Sequence, residues 1–334
     1  HRLKGNKVLI LSGSDMHGTP ITVTAQQEGK TPEQVAMEYH KLNSDSIERM
    51  GISFDLFSHT HTEEHAEVAL SILKKLDENG YIEPRISEEP YDPIANQFLP
   101  DRYVEGTCPH CNYESARGDQ CDDCGKTLDS KELINPRSKL NPDAKIEFRE
   151  TEHLFFKLSE FRDVLLDWLS EGKEHWRSSV INFTRNWLKE GLIDRAVTRD
   201  LDWGIEIPRE GYENKRMYVW FEAVMGYYSA SVHWAKNQGK PEEWKKWWEN
   251  EDSEHYYFMA KDNIPFHTII WPAMLSGCGY KLPYDVPANE YLLLDSSQFS
   301  KSRRHAIWIP DYLDRYDPEL LRFYLASIMP EQKD

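Results

Sequence analysis

The 334-residue sequence has no long apolar run, no excess of basic residues and few cysteines. No window of about 18 residues is both apolar and free of charge, and this absence predicts that the chain does not span a membrane. The mean hydropathy of -0.71 agrees with a globular protein. The chain also has no signal-like start, and because it begins with His1 rather than Met we expect a missing upstream segment.

The charge balance disfavours one class of protein. The chain has 40 basic and 57 acidic residues, a net charge of -17. Such a chain does not coat nucleic acid through bulk charge, although local contacts with phosphate stay open. We find no internal repeat and no low-complexity segment. The length and the 39% hydrophobic content predict a sizeable core and two or three structural units.

Four of the five cysteines lie within 17 residues, with the spacing C-x2-C-x9-C-x2-C formed by Cys108, Cys111, Cys121 and Cys124. Two tight turns that each present a pair of thiolates complete a closed tetrahedral shell, which predicts one structural zinc ion. The alternative is four unrelated thiols. Because clustered thiols favour metal binding over disulfides in a reducing compartment, we expect a cytoplasmic protein. Cys278 is expected to be a small packed residue.

The start of the chain predicts an α/β fold. Residues 7–15 form a short apolar run that ends at Asp15, as in a buried parallel strand that delivers polar groups to the ligand-binding edge of a sheet. Asp15 and His17 could equally be a helix cap and a surface histidine. Thr31 and Gln34 form a capping box for a helix that reaches about Met50. A second helix is predicted for residues 62–79, which Gly80 follows.

The regular hydrophobic pattern of the sequence ends after residue 80. Prolines interrupt residues 81–100 and lead into the cysteine pairs. Helices are predicted near residues 161–169, 178–190 and 266–275, and apolar strands at 217–221, 255–260 and 291–294. The last strand leads into residues 298–303, QFSKSR, where Ser300 and Ser302 flank Lys301. A polar loop with one mobile ammonium can close over a polyphosphate, although a solvated basic turn is the simpler alternative.

Five blocks in this order resemble the methionyl-tRNA synthetase family, most closely its archaeal and eukaryotic-type form. The resemblance covers nearly the whole chain, and only the last block is common to all class I synthetases. The blocks are GSDMHGTP at 13–20, FLPDR at 98–102 before the cysteine pairs, YVWFEA at 218–223, KDNIPFH at 261–267 and FSKSR at 299–303.

The resemblance implies a Rossmann-type parallel sheet catalytic domain that is split by a zinc-binding connective insertion. The expected units are residues 1–80 and 199–294 for the two halves of the catalytic domain, 81–198 for the insertion, and 295–334 for the lysine loop and the start of the stem-contact region. The implied reaction joins L-methionine to ATP, with Mg²⁺ on the phosphates, and passes the methionyl group to tRNA(Met). Positioning and charge stabilisation carry such a phosphoryl step.

The resemblance also implies roles for individual residues. Asp15 is similar to the carboxylate that pairs with the substrate amino group. The residues that match the methionine pocket are Trp220, Ala223, Tyr227, Asn263 and His267. The residues that match the ATP site are Asp262, Ser300, Lys301 and Ser302. Arg199 and His17 match residues beside the reacting groups, and Lys301 matches the lysine that meets the pyrophosphate. Trp220 and Tyr227 could otherwise be an ordinary buried aromatic pair.

The chain departs from the family pattern in several places. The H-x-G-H signature is absent, and the resemblance places it upstream of His1. The helical domain with which the family reads the anticodon is also missing from the sequence, which stops at Asp334. Gln298 stands where the loop motif usually has its first lysine. Val224 replaces a frequent proline, and Asn263 puts an amide where some members have an aliphatic side chain.

Two other classes of function stay open at this point. One is another class I synthetase or a related nucleotidyltransferase with the same fold. The other is a non-catalytic tRNA- or zinc-binding module without the H-x-G-H segment. The order of the five blocks favours the methionine enzyme over both.

Overall fold

A computed structural model describes residues 1–100, 103–118, 121, 128–139, 141, 143–299 and 305–331. Its first part alternates strands and helices. The elements are β1 (Leu11–Ser14), α1 (Thr19–Glu28), α2 (Pro32–Arg49), β2 (Leu56–His59) and α3 (Glu63–Glu78). Among the described residues, no helix combines the length and the apolar character that a membrane crossing requires.

Both predicted helices of this part are confirmed, and their ends have a local cause. The hydroxyl of Thr31 accepts a hydrogen bond from the backbone N–H of Gln34, and the Gln34 side chain returns one to Thr31. Thr62 caps α3 in a similar way through the N–H of His65. Gly80 follows α3 with φ of 81°, a conformation that glycine adopts at little cost.

Strands β1 and β2 pair in parallel, with Gly13 opposite Ser58. A Cβ atom at Gly13 would lie 2.6 Å from the carbonyl oxygen of Ser58, so no other residue fits at this position without moving the strands. The first strand was predicted within residues 7–15, and it occupies the later part of that run, Leu11–Ser14. The polar groups after β1 nevertheless leave the sheet at its carboxyl edge, as expected.

The middle of the chain forms two antiparallel sheets. Its strands are β3 (Ile82–Asp92), β4 (Gln97–Phe98), β5 (Val104–Thr107), β6 (Ala116–Arg117), β7 (Ile134–Ser138) and β8 (Glu147–Phe156). β3 and β8 form a ribbon in which Ile82 pairs with Phe156 and Tyr91 with Glu147. β5 lies between β6 and β7. A small apolar core around Leu99, Val104 and Leu133 includes two of the cysteines.

The rest of the chain returns to the larger core. Its elements are α4 (Arg162–Trp168), α5 (Ser178–Glu190), β9 (Arg195–Ala196), β10 (Thr198–Arg199), β11 (Arg216–Met217), α6 (Val219–Glu222), α7 (Gly226–Asn237), α8 (Lys245–Trp248), β12 (Met259–Ala260), α9 (Trp271–Gly277), β13 (Ala288–Asn289), β14 (Leu293–Leu294), β15 (Ser297–Gln298), α10 (Ile309–Leu313) and α11 (Pro318–Ser327). β12 and β13 form a second parallel pair. The mixed α/β architecture with parallel strands confirms the predicted fold class.

One predicted strand is wrong. Residues 217–221 were expected to be extended, but Tyr218 is the last extended residue before α6, and Trp220 lies on that short helix. A five-residue run of apolar residues does not distinguish a buried strand from a buried helical turn by periodicity. The helical conformation matters for the site, because residues three positions apart on a helix, here Trp220 and Ala223, face the same side.

Candidate functional site

A cavity of about 230 Å³ opens at the carboxyl end of β1 and β2. All six predicted substrate-binding residues and their neighbours form its wall. The lining residues are Leu11, Ser12, Gly13, Ser14, Asp15, Ser58, His59, Thr60, Trp220, Ala223, Val224, Gly226, Tyr227, Ala230, Asn263, Phe266 and His267. Residues far apart in the chain therefore meet at the edge where parallel sheets bind ligands.

A second cavity of about 270 Å³ adjoins the first. Asp15 and Trp220 line both cavities, and His17 and Arg199 line only the second. The start of α1 and Pro100 close its other sides. The two spaces give a site with two compartments that share one carboxylate and one indole.

Asp15 lies between the two compartments. One side of the Asp15 side chain is exposed to the two cavities. Protein atoms surround its carboxylate on the other sides. The loss of hydration, together with the nearby carboxylate of Glu222, raises the pKa of Asp15 to about 7; the backbone N–H and the ring of His17 act in the opposite direction. A carboxyl group in this state is ionised most favourably when a cation binds beside it.

The turn that carries Asp15 is fixed by its neighbours. The backbone N–H of Met16 donates to the Thr60 hydroxyl at 3.0 Å, and the indole N–H of Trp203 donates to the Met16 carbonyl at 2.8 Å. Nδ1 of His17 lies 2.8 Å from Oε1 of Glu222. Since a carboxylate only accepts hydrogen bonds, the His17 ring donates here.

Glu222 is a fully buried carboxylate at the end of α6. Its other oxygen, Oε2, lies 2.6 Å from Nε2 of the buried His65 on α3, and Nδ1 of His65 lies 2.8 Å from the Ser229 hydroxyl. Burial alone would raise the pKa of Glu222, but the hydrogen bonds from His17 and His65 outweigh it and hold that pKa below its usual value. The carboxylate thus stays charged inside the protein.

Aromatic rings form the apolar wall of the first cavity. Trp220 stacks on Phe266, with ring centroids 4.8 Å apart and an angle of 21° between the planes. Trp220 retains 36% exposure, so one part of its indole faces the open cavity. Stacked rings beside a small residue, Ala223, suit an unbranched and polarisable side chain.

Tyr227 and His267 close the inner end of this cavity. Nδ1 of His267 donates to the Asn263 carbonyl at 2.9 Å, and Nε2 accepts from the Tyr227 hydroxyl at 2.7 Å. Burial lowers the pKa of His267 to about 4 and raises that of Tyr227 to about 12, so both side chains are neutral near pH 7. His267 lies on a π-helical turn (Phe266–Ile270) that precedes α9.

Arg199 lies on β10 at the second cavity. Its guanidinium lies over the ring of Tyr218, 4.6 Å from the centroid. The next residue, Asp200, accepts a hydrogen bond from Lys215 at 2.7 Å and faces His153 at 3.2 Å. These contacts hold the pKa of Asp200 below its usual value against the opposing effect of burial. The contacts of Asp200 with Lys215 and His153 therefore fix the end of β10, the strand that carries Arg199.

The predicted ATP residues are less completely placed. Asp262 is exposed and lines neither of the two cavities described here, although its neighbour Asn263 lines the first. Oδ1 of Asp262 accepts a hydrogen bond from the Asn263 amide at 3.3 Å. Ser300, Lys301 and Ser302 lie outside the described residues, so their roles stay predictions. The loop follows a tight hairpin of β14 and β15.

Three of the four predicted cysteine ligands converge. The sulfur atoms of Cys108, Cys111 and Cys121 lie within 4.8 Å of one another, with 3.6 Å between Cys111 and Cys121. Tetrahedral zinc with four sulfur ligands requires sulfur atoms about 3.8 Å apart. The backbone N–H of His110 also points at the Cys108 sulfur, at 3.4 Å. This donor set fits a metal ion, and Cys124 lies outside the described residues.

Burial acts to raise the pKa of the Cys108 thiol, but N–H groups of His110 and Cys111 and the neighbouring thiols lower it to about 7. A thiolate that forms readily near neutral pH suits a metal ligand. Cys278 is a buried residue far from this group, as predicted, and burial raises its pKa to about 11.

The sequence alone did not single out Glu222, His65 or Phe266. Glu222 is part of the YVWFEA block, and Phe266 is part of KDNIPFH, so the signal was only that each lies beside a predicted pocket residue. His65 lies on α3, 157 positions from Glu222 in the sequence. No local spacing predicts such a contact.

The chain is similar to known proteins over its whole length. A family model described as tRNA synthetases class I (M) matches residues 1–334. A methionine–tRNA ligase of Dehalococcoides mccartyi is 57% identical over 335 residues, which cover 100% of this chain and 60% of that protein. The ligase of Thermomicrobium roseum is 55% identical, and that of Thermoplasma volcanium 49%. This chain spans 57% and 61% of those two proteins.

A solved structure supports the fold. The crystal structure of Mycobacterium tuberculosis methionyl-tRNA synthetase bound by methionyl-adenylate matches with a TM-score of 0.75 and 20% sequence identity. The match covers 99% of this chain and 59% of that chain. The arrangement of strands and helices described above is therefore that of a known enzyme fold.

Proposed function

We propose, from the premise that the chain belongs to the class I tRNA synthetase family, that it is the part of a methionine–tRNA ligase that activates L-methionine. In this reaction the methionine carboxylate attacks the α-phosphorus of ATP, pyrophosphate leaves, and methionyl-adenylate forms. The methionyl group is then transferred to the terminal ribose of tRNA(Met). The chain spans about 60% of the curated relatives it matches. The activity of the whole protein is therefore part of this proposal.

The observation that carries the proposal is the position of Asp15. Its carboxyl group lies where a compartment of about 230 Å³ with aromatic walls meets a second compartment that His17 and Arg199 line. An amino acid can place its ammonium against Asp15, its side chain in the first compartment and its reacting carboxylate toward the second. Because the pKa of Asp15 is raised to about 7, its carboxyl group is only partly ionised near neutral pH. The positive charge of a bound ammonium favours the ionised carboxylate, so the two groups form an ion pair.

In this proposal the first compartment selects the side chain of methionine. Trp220 and Ala223 contact the thioether along its length, and Tyr227 and Asn263 bound the compartment. His267 is held neutral by burial and by its bond to the Asn263 carbonyl, so no charge faces the sulfur. A neutral, aromatic wall suits an uncharged and polarisable group.

We assign the nucleotide to the second compartment and the surface beside it. His17 and Arg199 line that compartment and are proposed to contact the reacting groups. Asp262 is proposed to bind the ribose hydroxyls, and Ser300, Lys301 and Ser302 the phosphates. Mg²⁺ would accompany ATP. Lys301 is expected to act mainly on the charge that develops during pyrophosphate release, so Lys301→Ala would lower the adenylation rate with little change in methionine affinity.

We further propose a structural zinc ion at the cysteine cluster. Cys108, Cys111 and Cys121, with Cys124 as the fourth ligand, would hold it, and the ion would add to the stability that the small apolar core of this unit provides. Four protein ligands leave no position for water, so this metal takes no part in the reaction.

The proposal includes the division of the chain and its location. The two halves of the catalytic domain are residues 1–80 and 199–294, the connective insertion is 81–198, and residues 295–334 begin the stem-contact region. The antiparallel strands that start at Ile82 and the return to parallel pairing after residue 198 support these boundaries. A cytoplasmic location fits reduced thiolate ligands.

The experiment is a calorimetric titration of L-methionine into this polypeptide, with leucine and norleucine as comparisons. The expected result is saturable binding that prefers methionine to leucine by at least about tenfold, since the apolar compartment accepts an unbranched chain better than a branched one. Equal affinity for methionine and leucine, or no binding of any of them, would contradict the assigned pocket. Amino-acid-dependent exchange between ATP and pyrophosphate then distinguishes this enzyme from other class I synthetases.

A further inference from the structure

The carboxylate of Glu222 connects three separate segments of the molecule. Oε1 accepts from His17, on the turn that carries Asp15, and Oε2 accepts from His65, on α3. Glu222 is itself the last residue of α6, the helix of Trp220, and precedes the pocket residue Ala223. The side chains of His17, Glu222 and His65 are 2%, 0% and 0% exposed, so water does not compete for these bonds.

We propose that Glu222 is a positioning residue for amino-acid binding, which holds the Asp15 turn against the helix of the pocket. This inference rests on the proposed function, because it assumes that Asp15 receives the ammonium of the substrate. Two of the three segments line the first cavity, since the turn of His17 carries Asp15 and α6 carries Trp220; α3, with His65, packs behind them and contributes no lining residue. Without the shared carboxylate, nothing among the contacts described above joins the His17 ring to α6.

The charge of Glu222 has a second effect, on Asp15 itself. The negative charge of Glu222 disfavours a second negative charge at Asp15, and so adds to the effect of burial on the pKa of Asp15. The other ionisable groups around the pair are His17 and His65 on the carboxylate, His61 at 3.2 Å from His17, His59 and His267 in the wall of the first cavity, and Arg199 across the second cavity. Asp15 is therefore largely protonated below pH 7 until an ammonium binds.

The test measures methionine affinity by calorimetry between pH 6 and pH 8. In the unaltered chain, affinity is expected to fall about tenfold from pH 8 to pH 6, because Asp15 must first lose a proton below its pKa of about 7. Glu222→Gln keeps the shape of the side chain and removes its charge. In this variant the fall over the same range is expected to be smaller than in the unaltered chain, since burial still raises the pKa of Asp15 but the charge of Glu222 no longer does. Affinity at pH 8 is expected to drop because one histidine N–H loses its acceptor.

His65→Gln is the matched control, since it breaks the same network on α3 and keeps the Glu222 charge. It is expected to retain the tenfold fall. A purely structural role for Glu222 would give both variants the same pH dependence as the unaltered chain, and that result would overturn the effect on Asp15. Glu222→Asp, which restores the charge, should restore the tenfold fall.

A second variant covers the case in which Glu222→Gln does not fold. His17→Asn severs Glu222 from the Asp15 turn and leaves the bond to His65 in place. We expect weaker methionine binding at pH 8, by about tenfold or more, and unchanged affinity would overturn the positioning role. If the unaltered chain does not bind methionine at all, the proposed function fails instead, and the two failures are thus distinguishable.

Discussion

The cysteine cluster and the two-compartment cavity are built in opposite ways. Cys108, Cys111 and Cys121 come together within 14 positions of sequence, and the backbone N–H of His110 in the first turn points at the Cys108 sulfur. The cavity joins Asp15 to His267, which lie more than 250 positions apart, and each wall belongs to a different element. A short-range site is specified by spacing, whereas a long-range site is specified by the packing of the whole fold.

This difference predicts how each site fails. Loss of one ligand should destroy the cysteine cluster as a unit and leave the cavity intact. Loss of one cavity residue should remove a single contact, because the rest of the wall is held by other elements. Substitutions in the two sites test this difference.

Cys121→Ser is expected to abolish stoichiometric zinc binding, because three sulfur ligands do not complete the tetrahedral shell. Elemental analysis of the purified chain measures the metal content. Cys278→Ser is the control, since Cys278 is buried outside the cluster and should leave the zinc content unchanged. Full zinc occupancy in Cys121→Ser would refute the proposed site. Methionine affinity is expected to change little in either variant.

Asp15→Asn is expected to weaken methionine binding by more than about a hundredfold, because an ammonium in the cleft would lose its charged partner, at a cost of about 3–5 kcal/mol. Calorimetry measures the affinity, and circular dichroism should show an unchanged fold. Asp262→Asn is the matched change at an exposed carboxylate outside both cavities, and it should leave methionine affinity intact. Similar losses in the two variants would contradict the assigned position of the amino group.

His267 is expected to make stability depend on pH. Its pKa is about 4 in the folded chain, against about 6.5 in an unfolded one, so the unfolded chain binds more protons between these values. The contribution of His267 is fully present above pH 6.5 and is lost as the pH falls, by about 1.4 kcal/mol per pH unit. Urea unfolding between pH 7 and pH 5 measures the slope.

His267→Gln should reduce that slope, while His175→Gln, at an exposed position, should leave it unchanged. Equal slopes in the unaltered chain and in His267→Gln would show that other groups cause the pH dependence.

Tyr227→Phe removes the hydroxyl that donates to Nε2 of His267 and leaves a buried acceptor without its partner. The expected loss of unfolding free energy is about 1–3 kcal/mol, with a smaller effect on methionine affinity than that of Asp15→Asn. Denaturant unfolding at pH 7.5 measures the change. An unchanged free energy of unfolding would mean that water or another group replaces the hydroxyl.

The sequence predicted most of what depends on neighbouring residues. The capping box of Thr31 and Gln34 gave the start of α2, and the cysteine spacing gave three ligands that the structure brings together. It did not give the helical form of residues 219–222, because a short apolar run fits a strand or a helix equally well. The tertiary packing of the fold decides between them.

Residues of the site were predicted to the extent that a family resemblance marks them. Asp15, Trp220 and Tyr227 were identified in this way, and the cavity brings them together. The contact between Glu222 and His65 was not predictable from the sequence, because the two residues lie 157 positions apart and no sequence motif links them. Only the fold shows that one buried carboxylate serves two histidines.

The π-helical turn before α9 constrains the number of residues in this segment. In a π-helical turn, each hydrogen-bonded turn has one more residue than in an α-helix, and here the Trp271 N–H donates to the Phe266 carbonyl. Removal of one residue would restore α-helical bonding and rotate one side of the helix by about 100° relative to the other. Trp271, Met274 and Leu275 are fully buried and resist rotation, so His267 would leave the cavity. The segment should therefore tolerate some substitutions but no deletion.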